Sequence, residues 1–170
     1  DRGVVIDGKN LLILGAGGAA RAIAFTLAQK TTLGELSILD VNQGLLQGLT
    51  TDLQAGTKVF ITSGSLTEET VAAAMERANI IIHCTPVGMH SNVTASLIAP
   101  GLFRPEQVVF DIVYNPLETK LLADAKSRGL EIIPGVEMFI NQAALQFERF
   151  TGVDAPVDVM RRVVMEHLNA

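Results

Sequence analysis

A chain of 170 residues, 48% hydrophobic and 18% charged, is long enough for one domain with a substantial core and too apolar to be disordered. Its formal net charge of −5, against only 13 Lys and Arg, leaves no basic face for nucleic acid, and no uninterrupted apolar run reaches the ~20 residues of a membrane span. The single cysteine, Cys84, cannot close an internal disulfide, which points to a reducing, cytoplasmic setting.

In residues 1–9, Asp7-Gly8 reads as a turn before a first strand over 9–14. Gly15-Ala16-Gly17-Gly18-Ala19-Ala20 follows and opens a predicted helix over 19–30. Strand, glycine turn and helix in this order form the setting that a dinucleotide fingerprint requires. Gly15 lets the chain turn tightly out of the strand, Gly17 leaves room for a pyrophosphate, and Ala20 lets the helix pack close to the strand. The helix would then aim unpaired N–H groups at the phosphates. A tight turn without a ligand would have the same pattern.

A second strand over 35–40 ends at Asp40, and a helix over 41–53 is weakened by Gly44 and Gly48. A β-branched strand is predicted at 57–62 and a helix at 67–77, capped by Thr67 with Glu68 and Glu69 at its positive end. Ile80-Ile81-Ile82 lies in a buried strand over 79–83. Residues 85–105 form a long irregular stretch, and such stretches in compact domains usually carry function. A strand over 107–112 precedes Asn115-Pro116-Leu117-Glu118, which reads as cap, first-turn proline and reciprocal acid of a helix running to Arg128. A strand over 130–133 and helices over 138–150 and 157–168 complete the chain.

Strands and helices alternating in this way predict an α/β fold. It is a Rossmann-type doubly wound parallel sheet of about six strands, order 3-2-1-4-5-6, with helices on both faces and extra C-terminal helices. Residues 1–170 read as one dinucleotide-binding domain. The ligand belongs at the carboxyl ends of the strands, where the order reverses between strands one and four. Asp40 ends strand two, where a carboxylate can accept both hydroxyls of an adenine ribose and repel a 2′-phosphate. No Lys or Arg stands between Lys30 and Lys58 to pair with that phosphate, so NAD is favoured over NADP. Asp40 could equally cap the following helix; the two roles are compatible.

Four stretches carry a resemblance: Gly15-Ala16-Gly17-Gly18-Ala19-Ala20-Arg21-Ala22, Thr85-Pro86-Val87-Gly88-Met89, Asp111 to Thr119, and Gly135-Val136-Glu137-Met138 with Gln142-Ala143. In this order and spacing they resemble the shikimate dehydrogenase family, quinate/shikimate dehydrogenases included. The resemblance implies a nicotinamide-dependent oxidoreductase of aromatic amino-acid biosynthesis acting on shikimate or quinate, of which this chain carries the cofactor half. It implies a separate N-terminal substrate domain with a Lys–Asp pair that no residue here matches, so the chain alone is expected to be inactive. Carried over by position, Gly15, Ala16, Gly17, Gly18 and Ala19 line the pyrophosphate, Asp40 the ribose, and Thr85, Pro86 and Val87 flank the cofactor. Gly135 and Met138 sit at the nicotinamide, and Tyr114 and Gln142 meet the substrate. His83 departs from the family's asparagine, Glu137 stands where many members have a second glycine, and Asp40 replaces the Asn-Arg-Thr of NADP-dependent members.

Read on their own, several of these residues admit plainer roles. His83 fits a structural or cofactor-contacting residue better than a base. Cys84, adjacent on a strand and so pointing to the opposite face, reads as a small buried side chain. Asp111 ends a buried strand, where it would cap nearby N–H groups. Gln142 is either solvent-facing or aimed at a ligand. His90 and His167 read as solvent-facing, and Asp, His and Glu are too scattered for a metal site. Two rivals stay open: a non-catalytic nucleotide-binding module, and an S-adenosylmethionine methyltransferase. Val157, Met160, Val163, Val164 and His167 form a stripe on the helix within 155–170. If another domain normally covers that stripe, it is exposed here or mediates a homodimer.

Overall fold

Five residues of nearly pure Leu and Ile form β1 (Asn10–Leu14), and all but Asn10 are buried, the pattern of a central parallel strand covered on both faces. The computed structural model describes residues 3–168. In chain order the elements are β1, α1 (Gly18–Lys30), β2 (Glu35–Asp40), α2 (Gln43–Gly56), β3 (Ile61–Ser65), α3 (Glu68–Met75) and β4 (Ile80–His83). A 3-10 turn (Pro100–Leu102) then leads to β5 (Val108–Asp111), α4 (Lys120–Ser127), β6 (Glu131–Ile133), α5 (Gly135–Thr151) and α6 (Val157–Leu168). The six strands pair in the order β3-β2-β1-β4-β5-β6, all parallel, as predicted.

Alternate strand residues feed two cores. Leu12, Leu14, Ile81 and Val109 pack under Val71 and Met75 of α3 and Leu121 and Leu122 of α4. Leu11, Ile13, Leu36 and Ile38 pack on the other face against Ala20 and Ala24 of α1 and Leu46, Leu49 and Leu53 of α2. Full burial of each such Leu or Ile stabilises by about 1.5–3 kcal/mol before chain entropy is counted. The alanines of α1 do what the pattern asked of Ala20: with no bulk, the helix lies close on β1. Polar groups tie the edges. Glu35 accepts bonds from Arg77, Thr62 and Ser37, and the Arg77 guanidinium, ahead of the two hydroxyls, holds its carboxyl below the usual range.

Four elements differ most from expectation. Strand β3 begins at Ile61, four residues late, because α2 runs through its glycines to Gly56 and Thr57 ends it, with its hydroxyl on the Leu53 carbonyl. Helix α4 is capped by Thr119 and begins at Lys120, whereas Asn115 was expected to cap it. The Asn115–Pro116 peptide is cis and belongs to the turn. Helix α5 starts at Gly135, ahead of Met138, and ends at Gly152 in the left-handed conformation. No residue of α6 is fully buried; Val157, Met160 and Val164 are half-buried, and Val163 and His167 are exposed, as is Val159.

Candidate functional site

At the carboxyl ends of β1, β2 and β4 the backbone packs tightly around Gly15. Its φ of +107° suits only glycine, and a Cβ there would sit 2.7 Å from the Cys84 carbonyl oxygen. The Gly15 amide donates to the Leu39 carbonyl at 2.7 Å, which ties the turn to β2. Gly17 is different. It is the N-cap of α1 with φ −73°, open to any residue, and a Cβ on Gly17 or Gly18 would meet nothing within 4 Å. No side chain caps α1, and Gly18 and Ala19 are exposed, so the amides of these two residues lie at the surface without a side-chain acceptor at the cap.

Asp40 closes the other side of this opening. Its carboxylate accepts the Ala16 amide at 2.5 Å and the Asn42 amide at 2.6 Å. It does not cap α2; the Asn42 side chain does, by accepting the Leu45 amide. Asp40 therefore braces the glycine turn against the start of α2, and each of its oxygens keeps a lone pair.

Two cavities meet across Thr85 and Pro86. One, of about 360 Å³, is lined by Gly15, Gly17, Asp40, Thr85, Pro86 and Val87, with apolar walls from Val41, Leu45, Leu66 and Leu97. The other, of about 390 Å³, is lined by Thr85, Pro86, Met89, His90, Val113, Tyr114 and Asn115 among others. The structure thus brings Gly15 and Gly17 together with Asp40, Thr85, Pro86 and Val87, leaves Gly18 and Ala19 outside that lining, and sets Tyr114 beside Thr85 and Pro86. Ala16 is buried and contributes its amide. Tyr114, 41% exposed, stacks on Phe139 of α5 with ring centroids 4.5 Å apart. Gln142 lies exposed on the same helix, three residues beyond Phe139 and so on a neighbouring stretch of its surface.

Gly135 and Met138 are placed apart from these cavities. Gly135 is buried where α5 begins, and a Cβ there would overlap the carbonyl oxygens of Ile112 and Val113. Met138 lines a third cavity, of about 850 Å³, with Glu137, Asn141 and Arg161. There Arg161 grips Glu137 through two bonds of 2.8 Å. The apolar walls carry no motif; in the sequence their one sign is Val41, an apolar residue directly after the strand-end Asp40. His90 lines the cavity beside Tyr114, a role not expected of it, and is exposed, as expected.

Behind Thr85 runs a buried polar chain: Thr119 to Asp111 at 2.6 Å, Asp111 to His83 at 2.9 Å, and His83 to Thr85 at 2.6 Å. Asp111 also accepts the Val113 amide, the capping role foreseen for it. Among the described residues no buried polar side-chain atom lacks a partner, and no three His, Cys, Asp or Glu side chains gather for a metal. Cys84, read from the sequence as a buried side chain, is half-buried and lines both cavities; burial of its thiol, with the nearby Asp111 charge second, pushes it up to about 12. Native protein at pH 8 should therefore resist alkylation by iodoacetamide, whereas protein in urea, with a thiol near the ordinary value of about 8.5, should label. Mass spectrometry reads both, and fast labelling of the native chain would contradict the assignment.

Residues 135–165 match the family model described as the shikimate 5′-dehydrogenase C-terminal domain. The shikimate dehydrogenase (NADP(+)) of Methanosarcina barkeri is 38% identical over 168 residues, 97% of this chain. The chain belongs to the shikimate dehydrogenase family. It spans about 58% of the length of that curated relative. Among solved structures, the shikimate 5-dehydrogenase of Listeria monocytogenes in complex with shikimate and NAD is similar with a TM-score of 0.87 at 29% identity. The similarity covers 95% of this chain and 57% of that one. Quinate dehydrogenase from Corynebacterium glutamicum in complex with NAD is similar at 0.81 and 27%, covering 95% and 56%. The family shares this Rossmann-like sheet, and no helix among the described residues is long and apolar enough to cross a membrane.

Proposed function

We propose that the chain is the dinucleotide-binding part of a cytoplasmic shikimate-dehydrogenase-type oxidoreductase, with NAD preferred over NADP and shikimate or quinate as the substrate of the whole protein. The observation that carries this reading is the pair Gly17–Gly18, which nothing inside the chain requires to be glycine. Room kept free at the amide end of a helix suits a group from outside, and a pyrophosphate fits both its size and its charge. In this reading Gly15, Ala16, Gly17, Gly18 and Ala19 hold the pyrophosphate, and Asp40 takes the adenine ribose. Val41 and Leu45 offer apolar walls to the flat base. Thr85, Pro86 and Val87 flank the cofactor; Gly135, packed on the backbone of Ile112 and Val113 that line the cavity of Tyr114, is given the nicotinamide end, and Met138, in its separate cavity, is given that end by the resemblance alone. Tyr114 and Gln142 face the substrate. Bound nicotinamide would supply the hydride-transferring carbon; the protein supplies position and excludes water.

NAD is preferred here on local grounds, although the Methanosarcina relative is named for NADP(+). A carboxylate lines the ribose-side cavity and no Lys or Arg does. No lysine lines the cavity beside Tyr114 either, so the 170-residue chain alone is proposed to bind without turning over. The exposed apolar residues Val159 and Val163 of α6 suit cover by a further, N-terminal domain of the whole protein or by a second copy. Calorimetric titration of the chain with NAD, NADP and S-adenosylmethionine tests the reading. Expected is NAD binding at least tenfold tighter than NADP, and none of S-adenosylmethionine. Tighter NADP binding would overturn the role given to Asp40. No dinucleotide binding at all would overturn the whole reading, and shikimate-dependent NADH formation by this chain would overturn the expected inactivity.

A further inference from the structure

Asp111 is fully buried, and its carboxylate accepts three bonds: from the Val113 amide at 3.0 Å, the Thr119 hydroxyl at 2.6 Å and His83 Nδ1 at 2.9 Å. An ionised carboxylate only accepts, so the ring proton of His83 belongs on Nδ1. In the neutral ring Nε2 is then a bare lone pair, 2.6 Å from Thr85 Oγ1. It can only accept, and it takes the one proton that the Thr85 hydroxyl has. The Val87 amide donates to one lone pair of the same oxygen at 3.2 Å. The other lone pair remains for the cavities that Thr85 lines.

We infer that His83 is a positioning residue that fixes the sense of the hydrogen bond offered by Thr85, making this hydroxyl an acceptor toward the cleft. The group it receives is a donor, a ribose hydroxyl or amide N–H of the bound dinucleotide. This rests on the dinucleotide reading above. His83 itself is 2% exposed and acts only through Thr85. Tautomer and affinity are therefore separable observables. A hydroxyl free to rotate could serve as donor or acceptor; this one is committed before any ligand arrives.

The test has two arms on the 170-residue chain. Long-range nitrogen–proton NMR of the unliganded protein at pH 7.5 should find His83 Nδ1 protonated and Nε2 bare. A proton on Nε2, alone or in addition, overturns the inference, because Thr85 would then receive that proton and turn its own outward. The second arm is a double-mutant cycle read by NAD calorimetry. Thr85→Val should weaken NAD about tenfold, the loss of one hydrogen bond. His83→Asn should weaken NAD several-fold in the wild-type background and less than twofold in the Thr85→Val background. Equal losses in both backgrounds would make His83 a packing residue and overturn the inference. If His83→Asn does not fold, the NMR arm decides by itself. Wild-type protein that ignores NAD but shows the Nδ1–H tautomer would sink the dinucleotide reading and leave the tautomer argument intact. In that case the inferred ligand falls while the fixed hydroxyl stands.

Discussion

Replacing Gly17 with valine is expected to abolish NAD binding while the domain stays folded. The backbone at Gly17 has φ −73°, which any L residue adopts, and an added Cβ meets no atom within 4 Å. The folded chain therefore leaves room for a Cβ, and unfolding free energy should change by no more than about 1 kcal/mol, the scale of helix-cap substitutions. The same side chain would stand where an anion must reach the α1 amides. Losing two charge-assisted hydrogen bonds, each worth about 1.5–3 kcal/mol, lowers affinity by roughly two to four orders of magnitude. Urea denaturation and calorimetry on the same protein preparation check the two halves. A valine variant that binds NAD as wild type does would remove the main support for a pyrophosphate at this turn.

Replacing Gly135 with alanine is expected to do the reverse and attack the fold itself. Gly135 is buried at the first residue of α5, facing the backbone where the chain leaves β5. A methyl group there would overlap the carbonyl oxygens of Ile112 and Val113, which are main-chain atoms just past the end of β5 and cannot swing aside as a side chain could. To relieve the overlap the start of α5 must move away from residues 112–113, and it carries Val136, Ile140 and Ala144 out of their buried positions. A loss of about 3 kcal/mol or more follows, at the upper end of what overpacking costs. Denaturant midpoints and soluble yield read it. A variant of unchanged midpoint would mean that α5 docks more loosely than the structure has it. The pair of glycine substitutions separates two reasons for the absence of a side chain: one from outside the chain, one from within.

The order of the sheet, the fingerprint turn and the strand-end carboxylate were all legible in the sequence. Period and composition encode them locally: Leu11-Leu12-Ile13-Leu14 reads as a covered strand because the glycine run follows it directly. Boundaries were less legible where two local signals competed. Asn115-Pro116 imitates a helix start, yet Thr119 caps α4, because its hydroxyl is also the donor that buried Asp111 needs. Gly44 and Gly48 argue against α2, and burial of Leu46, Leu49 and Leu53 outweighs them.

Taken by itself, the sequence determined the α/β class, the strand order and the place of the opening at the ends of β1, β2 and β4. These follow from hydrophobic period, glycine position and the handedness of crossovers, which act over a few residues at a time. Only the tertiary structure decided that Asp40 braces Ala16 and leaves the cap of α2 to Asn42. It likewise decided that Gly135 serves a backbone contact, and that Thr119, Asp111, His83 and Thr85 form one chain of hydrogen bonds. The physical reason is that each of these depends on atoms brought within about 3 Å from strands far apart in sequence, a distance that no local pattern encodes.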